Sequence, residues 1–269
     1  SSGDVLLASA VVAAVATRCP KSAVMVETDF PEIFYGNPRI VKVARHLPPI
    51  KGAKLIDLDM AYENRPGMHI INAYEEVAQL GPIELRSEFF TNPKLANTAA
   101  MKLDGGTWIA IHAGPTTWEG KNWPEYRWQA LILHLKEMGW KVLLVGNEGY
   151  ALDSDRDMRG KTNVHDLANC LRLCALFVGV DSFPMHMAQA VGTPVVPLFG
   201  VTSAKYILTH GSKAFPVESD PDHTFTGIRH RLSGATHVPV TINPMETITT
   251  DRVIENVHLA MGVKEIAFV

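Results

Sequence analysis

The sequence has few cysteines and no block of like charges among its 269 residues. Three cysteines, Cys19, Cys170 and Cys174, are too few for the paired framework that stabilises small secreted domains. Cys170 and Cys174 lie four apart on a predicted helix, where two small buried side chains are a better interpretation than a metal pair. The net charge of −3, without a basic run, argues against electrostatically driven binding to nucleic acid.

Long apolar runs are also missing. None reaches the roughly 20 residues that a membrane-spanning helix needs. The stretch VLLASAVVAAVA, from Val5 to Ala16, lacks a cationic leader and directly follows Asp4. A buried helix is therefore a better interpretation of it than the core of a signal peptide.

Helix and strand signals alternate along the chain in two series. The first series predicts helices at Asp4–Arg18, Ala73–Leu80 and Asn92–Leu103, and strands at Ala23–Thr28, Ile40–Leu47 and Lys54–Met60. The second predicts strands at Thr107–Gly114, Lys141–Gly146, Leu176–Asp181 and Pro194–Gly200, and helices at Glu125–Gly139, His165–Ala175 and directly after Asp181. This alternation predicts the α/β class, with two doubly wound domains at residues 1–104 and 105–250.

The stretch LFVGVDSFPMHMAQAVGTPVVPLFG, from Leu176 to Gly200, places polar side chains where a core strand meets a helix. Asp181 and Ser182 end the strand, and His186 lies in the first turn of the helix. The unpaired amides and the dipole of a helix start favour an anion such as phosphate. Asp or Ser before Pro is also ordinary helix-capping chemistry, and this stretch alone leaves both interpretations open.

Three other polar loops fall at equivalent places. One holds Asp4 at a helix start, a second follows the strand at Thr107–Gly114 and holds Lys121, and a third holds Thr202. Ligands of doubly wound sheets bind beyond the carboxyl ends of the strands, so we expect these loops to share one rim. A carboxylate, an ammonium, hydroxyls and a histidine suit an anionic donor together with a nucleophile that needs a base.

Four motifs, in this order, carry a family resemblance: GDVLLASAVV, IAIHAG followed by KNWP, LLVGNEG, and VGVDSFPMHMAQAVGTPVVPLFGVTS. Together they resemble glycosyltransferase family 9, the ADP-heptose:lipopolysaccharide heptosyltransferases. The resemblance implies a GT-B fold, in which two Rossmann-like domains face a central cleft. The C-terminal domain then holds the nucleotide-sugar, and residues 251–269 form a helix and tail that return to the first domain.

Roles for individual residues follow from the matched positions. The resemblance implies that Asp4 is the base for the acceptor hydroxyl and that Lys121 neutralises the donor diphosphate. The donor-binding positions that it implies are Thr116, Thr117, Asp181, Ser182, His186, Gly200, Thr202 and, after the LLVG strand, Glu148 or Asp153. The implied enzyme is an inverting glycosyltransferase that uses neither a metal nor a cofactor. It moves a sugar, heptose by resemblance, from an ADP-linked donor to a glycan or lipopolysaccharide-core acceptor.

Partners and location follow from the same resemblance. We expect a monomer in the cytoplasm, at most peripherally bound to the inner face of the bacterial inner membrane, with no nucleic-acid partner. Residues 1–105 carry 11 Lys and Arg against 12 Asp and Glu. A phosphorylated acceptor favours a basic face, so this balance points to a neutral glycan or to some other acceptor.

Two departures from the family pattern keep alternatives open. Phe183 stands where the family has Gly, and the strand that precedes SSGD in the family is absent from the sequence. We expect the tail Glu265–Val269 to occupy the place of that strand. The alternatives are a non-catalytic nucleotide-sugar-binding module and a sugar-nucleotide epimerase of the GT-B type. At single positions, Asp4 is alternatively a helix cap, Lys121 a solvated charge and His186 an ordinary helix-face residue.

Overall fold

The computed structural model describes residues 1–97, 103–116, 118, 120–220 and 243–263. The first part holds helices α1 (Ser2–Leu7), α2 (Ser9–Arg18) and α3 (Ile70–Ala78) and strands β1 (Val24–Glu27) and β2 (Ile40–Ala44). The second part holds strands β3 (Trp108–His112), β4 (Lys141–Leu144), β5 (Arg156–Asp157), β6 (Leu176–Val180), β7 (Val195–Phe199) and β8 (Val217–Glu218). Its helices are α4 (Glu125–Glu137), α5 (Val164–Leu173), α6 (Phe183–Ala190), α7 (Ala204–Ile207) and α8 (Thr250–Met261).

The second part is a doubly wound parallel sheet. Its strand order is β5-β4-β3-β6-β7-β8, and every adjacent pair is parallel. The chain starts in the centre at β3, moves outward through β4 and β5, and returns to continue through β6, β7 and β8. The order therefore reverses between β3 and β6, and a doubly wound sheet binds its ligands at this switch point.

The central strands form because each is an uninterrupted run of buried residues, as expected when both faces of a sheet are covered. Alternate side chains of β3 enter different cores. Ile109 and Ile111 pack in the core beneath α4 and α8, whereas Trp108 and Ala110 pack in the core beneath α5 and α6. That second core is continuous with the first part of the chain, where Leu6 and Leu7 of α1 belong to it.

The first part of the chain lies against this sheet through α1 and α6, which are in direct contact. Its own sheet, within the described residues, is the parallel pair β1-β2. Helices α1 and α2 follow each other with only Ala8 between them, as the predicted helix Asp4–Arg18 requires. The fold is the α/β, GT-B arrangement that the sequence predicted.

One predicted element of the first part is wrong, and a second, the helix Asn92–Leu103, is wrong over residues 92–97, while its residues 98–102 lie outside the described residues. Residues 54–60 form no ladder with any strand of the described residues, and Leu55 is 86% exposed, so the alternation in KLIDLDM reflects an open surface segment. Residues 92–97 form a turn instead of the start of a helix. Their amides bond to α5, where Asn92 N donates to His165 Nδ1 at 3.2 Å and Asn97 N to Asp166 Oδ1 at 2.6 Å.

The expected return of the final helix to the first part is also corrected. Helix α8 packs on α4, β6, β7 and β8, because Val253 and Val257 enter the core on that face of the second sheet. The expected tail strand Glu265–Val269 and the expected site residue Thr117 lie outside the described residues.

Within the described ranges, no helix combines the length and the hydropathy needed to cross a membrane.

Candidate active site

The switch point is occupied by an ion pair between the loops that follow β3 and β6. Lys121 Nζ lies 2.6 Å from Asp181 Oδ2 and 3.4 Å from the backbone oxygen of Asp181. Both side chains are largely buried, with 14% of Lys121 and 4% of Asp181 exposed. The two residues are 60 apart in the sequence, and the adjacent parallel strands bring them together.

Asp181 has a second partner on the same oxygen. The hydroxyl of Thr202, which follows β7, donates to Asp181 Oδ2 at 2.8 Å. Burial alone raises the pKa of Asp181, but the charge of Lys121 and the hydrogen bonds from Lys121 and Thr202 lower it below its usual range. The carboxylate is therefore ionised, and three successive strand ends contribute to one charged cluster.

His186 completes the cluster from the first turn of α6. Its Nε2 lies 3.8 Å from Asp181 Oδ1, too far for a hydrogen bond. Burial lowers the pKa of His186, against the opposing effect of Asp181 and Asp4, so the ring is neutral near pH 7. The buried Nδ1 has no hydrogen-bond partner among the described residues, which fits a group that serves a ligand better than a satisfied core histidine.

Glycines at Gly120 and Gly200 allow these loops to approach one another. A Cβ built on Gly200 would lie 1.9 Å from the backbone oxygen of Gly120. Gly120 has φ +78°, a conformation that favours glycine, and it immediately precedes Lys121. The expected donor-site residue Gly200 therefore acts on the site by allowing the loop of Lys121 to lie against the end of β7.

The start of α6 is not closed by a side chain. Ser182 is the N-cap residue, yet it makes no side-chain capping bond, and its hydroxyl donates instead to Val180 O at 3.2 Å. The Asp181 carboxylate is paired with Lys121. The plain capping alternative for this stretch is therefore not what the structure shows, and Phe183 at the first helical position packs on the apolar core.

The loop after β3 has internal supports that the sequence did not single out. Asn122 Oδ1 accepts from Thr116 N at 2.7 Å, and Asn122 Nδ2 donates to Thr116 O at 3.0 Å. The ring of Trp118 lies 4.9 Å from Lys121 Nζ, a cation–π distance. The run TTWEGKN contains Asn122 and Trp118. Only the folded loop shows that Asn122 holds Thr116 in place and that Trp118 packs against Lys121.

Asp4 reaches this region from the first part of the chain. Gly3 lies against His186, since a Cβ built on Gly3 would be 3.0 Å from His186 Cδ2. The Asp4 carboxylate contacts the backbone nitrogen of Ser1 at 2.6 Å, in a capping box at the start of α1, and the hydroxyl of Tyr62 at 3.3 Å. Helix capping by Asp4 is thus present together with its position beside the charged cluster.

Two other expected positions do not join the cluster. Glu148 is exposed beyond β4. Asp153 pairs with Lys136 of α4 at 2.8 Å. Neither position shows whether these carboxylates contact a nucleotide, so their assignment to the ribose hydroxyls stays a prediction.

Two surface cavities lie away from this cluster. One of 190 Å³ adjoins α2 and residues 82–88, and another of 380 Å³ lies between residues 66–72 and Tyr206. The Lys121–Asp181 pair is closely packed, so a diphosphate that contacts Lys121 must compete with Asp181.

The two buried cysteines are packing residues. Burial raises the pKa of Cys170 to about 11 and that of Cys174 to about 12, so both stay thiols. Over the described ranges, no group of three or more His, Cys, Asp or Glu side chains is placed to hold a metal ion.

Comparison with known families assigns the chain. The model of glycosyltransferase family 9 (heptosyltransferase) matches residues 84–224, which is more than half of the chain. The chain belongs to glycosyltransferase family 9. The matched region includes Lys121, Asp181, His186 and Thr202, so the buried cluster lies in the part of this family-9 chain that defines its membership.

Curated relatives share part of this region. Lipooligosaccharide heptosyltransferase 2 of Haemophilus influenzae is 31% identical over 108 residues, which is 35% of this chain and 31% of that protein. Lipopolysaccharide heptosyltransferase 1 of Pseudomonas aeruginosa is 29% identical over 128 residues, 44% of this chain and 36% of that protein. The matched part of the chain thus spans about a third of the length of these relatives.

Solved structures show the same fold over nearly the whole chain. The family-9 glycosyltransferase of Veillonella parvula superposes with a TM-score of 0.72 at 14% identity, covering 98% of this chain and 95% of that one. The ADP-heptose heptosyltransferase II of Escherichia coli gives 0.65 at 16% identity, covering 97% and 96%. The iron-containing dodecameric heptosyltransferase TibC, solved with ADP-D-β-D-heptose, gives 0.70 at 16%, covering 97% and 74%.

Proposed function

We propose that this chain transfers a sugar from a nucleoside-diphosphate donor to a hydroxyl of a glycan acceptor, inverting the anomeric carbon. The observation that carries the proposal is the buried Lys121–Asp181 pair at the switch point, with Asp4 beside it on the other part of the chain. A cation at the end of β3 and the unclosed start of α6 suit a diphosphate, and a carboxylate opposite them suits a base.

The chemical step uses these groups in turn. The acceptor oxygen attacks the anomeric carbon while the bond from that carbon to the diphosphate oxygen breaks on the opposite face. The proton of the acceptor hydroxyl goes to the Asp4 carboxylate, and the nucleoside diphosphate leaves with its new negative charge beside Lys121. Stabilising charge on the leaving group is where fixed cations and amides contribute most. In this proposal Lys121 and the first amides of α6 do so without a metal.

The donor is proposed to be ADP-linked, with heptose as the sugar. The curated relatives are heptosyltransferases of lipopolysaccharide and lipooligosaccharide, and one solved relative of the same fold was determined with an ADP-heptose. Asp181, His186 and Thr202 are proposed to contact the donor together with Ser182 and the threonines after β3.

The acceptor is proposed to be an anionic glycan such as a phosphorylated lipopolysaccharide core. The near-neutral balance of residues 1–105 conceals a local excess, since residues 40–56 carry four Lys and Arg and no Asp or Glu. Lys42, Arg45 and Lys51 in that segment are exposed at or beyond the carboxyl-terminal half of β2. This local charge supports a phosphorylated acceptor over the neutral glycan that the overall balance predicted.

The site of action is proposed to be the cytoplasmic face of the inner membrane, with the protein as a monomer. TibC is dodecameric, but that assembly is a property of TibC. Light scattering of this chain in solution measures its own oligomeric state, and a mass above that of one chain would overturn the monomer.

A transfer assay tests the function. The full chain is incubated with ADP-heptose and a heptose-free lipopolysaccharide core, and mass spectrometry detects the added heptose. Release of ADP and of a product heavier by one heptose supports transfer. A changed sugar without acceptor, seen by NMR in a donor-only sample, supports the epimerase instead. Calorimetric binding of ADP without turnover in either sample supports a binding module, and binding of only UDP or GDP overturns the proposed donor.

A further inference from the structure

A pair of tyrosines surrounds Asp4, and each donates to a different part of it. The hydroxyl of Tyr62 donates to the carboxylate oxygen Oδ2 at 3.3 Å. The hydroxyl of Tyr74, on α3, donates to the backbone oxygen of Asp4, also at 3.3 Å. The two rings meet edge to face, with centroids 6.4 Å apart, so both belong to one packed group.

Glu63 adds a second carboxylate to this group. Its side chain is buried, with 8% of the residue exposed, and none of the described residues gives Oε2 a hydrogen bond. The side chain of Glu63 also interacts with the Tyr62 hydroxyl, and a buried oxygen such as its unpaired Oε2 is costly, so Glu63 competes with Asp4 for that hydroxyl. The hydroxyl of Tyr62 therefore lies near two carboxylates, one exposed to the site and one buried.

Tyr62 stays protonated in this setting. Burial, and then the charges of Asp4 and Glu63, raise the pKa of Tyr62 far above its usual value, so its hydroxyl is a permanent donor. Both contacts to the Asp4 carboxylate use Oδ2, which leaves Oδ1 without a hydrogen-bond partner among the described residues. The side chain of Asp4 is 25% exposed.

We propose that Tyr62 is a positioning residue for Asp4, holding Oδ2 so that Oδ1 faces the hydroxyl of the acceptor. The inference rests on the proposed function, in which Asp4 takes the acceptor's proton. The hydrogen bond from Tyr62 favours the ionised carboxylate, which is the form a base needs. When Oδ1 gains the proton, the bond to Oδ2 weakens, and the Tyr62 hydroxyl turns to Glu63 without giving up its own proton.

Two matched variants test this role. Tyr62→Phe and Tyr74→Phe each remove one hydroxyl that donates to Asp4, but only the first bond reaches the carboxylate. For Tyr62→Phe we expect kcat to fall about tenfold, as for loss of a hydrogen bond to a charged group. We also expect the acid limb of the kcat/KM profile to move to higher pH, because loss of a donor favours the protonated carboxyl. ADP affinity stays at the parent value.

For Tyr74→Phe we expect a loss of thermal stability similar to that of Tyr62→Phe. The acid limb of its kcat/KM profile should stay where it is in the parent. Superimposable pH profiles for the two variants would overturn the inference. If Tyr62→Phe does not fold, Glu63→Gln tests the same idea, since weakening the competing acceptor leaves the Tyr62 hydroxyl to Asp4. The acid limb must then move to lower pH, and an unmoved limb in Glu63→Gln counts against the role of Tyr62.

The Asp4→Asn variant separates this inference from the proposed function. If Asp4→Asn keeps full transfer, Asp4 is not the base and the proposed function loses its chemistry. If Asp4→Asn is inactive while Tyr62→Phe behaves as Tyr74→Phe does, the proposed function stands and only the positioning role fails.

Discussion

Lys121 Nζ lies 2.6 Å from Asp181 Oδ2, and this contact joins the two strands between which the strand order of the second sheet reverses. A cation held at a switch point is well placed for the phosphates of a nucleotide. The same cation compensates a carboxylate that is 4% exposed. Lys121 thus compensates a buried charge, and in the proposed function it also binds the donor, so mutation can separate the two roles.

Replacement of Lys121 by Met should cost stability and donor affinity together. Removing one partner of a buried ion pair leaves an uncompensated charge, at a cost of about 3 kcal/mol or more in the free energy of unfolding. Urea denaturation measures that loss, and calorimetry with ADP measures the affinity. The double variant with Asp181→Asn should recover stability without recovering ADP binding. An ADP Kd within twofold of the parent in both variants would remove Lys121 from the donor site.

Replacement of Gly200 by Ala should disturb the site through the backbone. The new Cβ would meet the backbone oxygen of Gly120 at 1.9 Å, so one of the two loops must move. We expect a loss of about 1–3 kcal/mol in the free energy of unfolding, as for overpacking, and weaker ADP binding. Gly105→Ala is the matched control, since a Cβ there has no neighbour within 4 Å. Equal stability of the two variants would contradict the close approach.

Stability should fall as the pH drops below neutrality, because buried histidines must stay neutral in the folded protein. Burial lowers the pKa of His112 and that of His186. The unfolded chain therefore binds protons below about pH 6.5 that the folded chain does not, which costs about 1.4 kcal/mol per pH unit for each histidine. The stability that the neutral histidines contribute is complete above that pH. It is lost as the pH falls towards the lower pKa values that these histidines have in the folded protein.

Urea denaturation between pH 7.5 and pH 5.5 checks this dependence. His112→Gln should flatten the slope by about one proton. A free energy of unfolding that is constant over this range would show that the buried rings are protonated in the folded state.

A charge reversal at Arg45 should weaken the binding of the acceptor and not that of the donor. Arg45 directly follows β2 and is exposed, in a segment rich in cations. With a phosphorylated core as acceptor, we expect Arg45→Glu to raise the acceptor KM severalfold, and more at low salt, because exposed charges are screened. Lys21→Glu makes the same charge change before β1, at the opposite edge of the sheet. An equal rise in both variants would indicate a general effect of net charge.

The sequence predicted the second part of the chain better than the first, for a physical reason. Strands such as β3, β6 and β7 are buried on both faces and therefore consist of continuous apolar runs. The segment from Lys54 to Met60 has alternating residues but no neighbouring strand in the part of the chain that the structure describes, and alternation alone cannot show whether a partner exists. The predicted helix does not start at Asn92, because backbone amides of this segment donate hydrogen bonds to side chains of α5 instead. These are tertiary contacts, which local sequence does not reveal.

The site was predictable in outline. Strand ends in a parallel sheet share one edge, so Lys121, Asp181 and Thr202 were expected on one rim, and the structure brings them into contact. The supports were not predictable, because Tyr62 and Glu63 lie in an irregular segment with no motif of its own. Their relation to Asp4 depends on how α1 and α3 pack, which local sequence does not encode.

The most direct test of the account is the rate of transfer by Asp4→Asn, measured beside its affinity for ADP. The change keeps the size of the side chain and removes the base. The account predicts that transfer falls by about 10² to 10⁴, the usual cost of losing a general base, with an ADP Kd within about twofold of the parent. Transfer within about threefold of the parent, well short of that loss, would contradict it and leave Asp4 with its capping role at the start of α1.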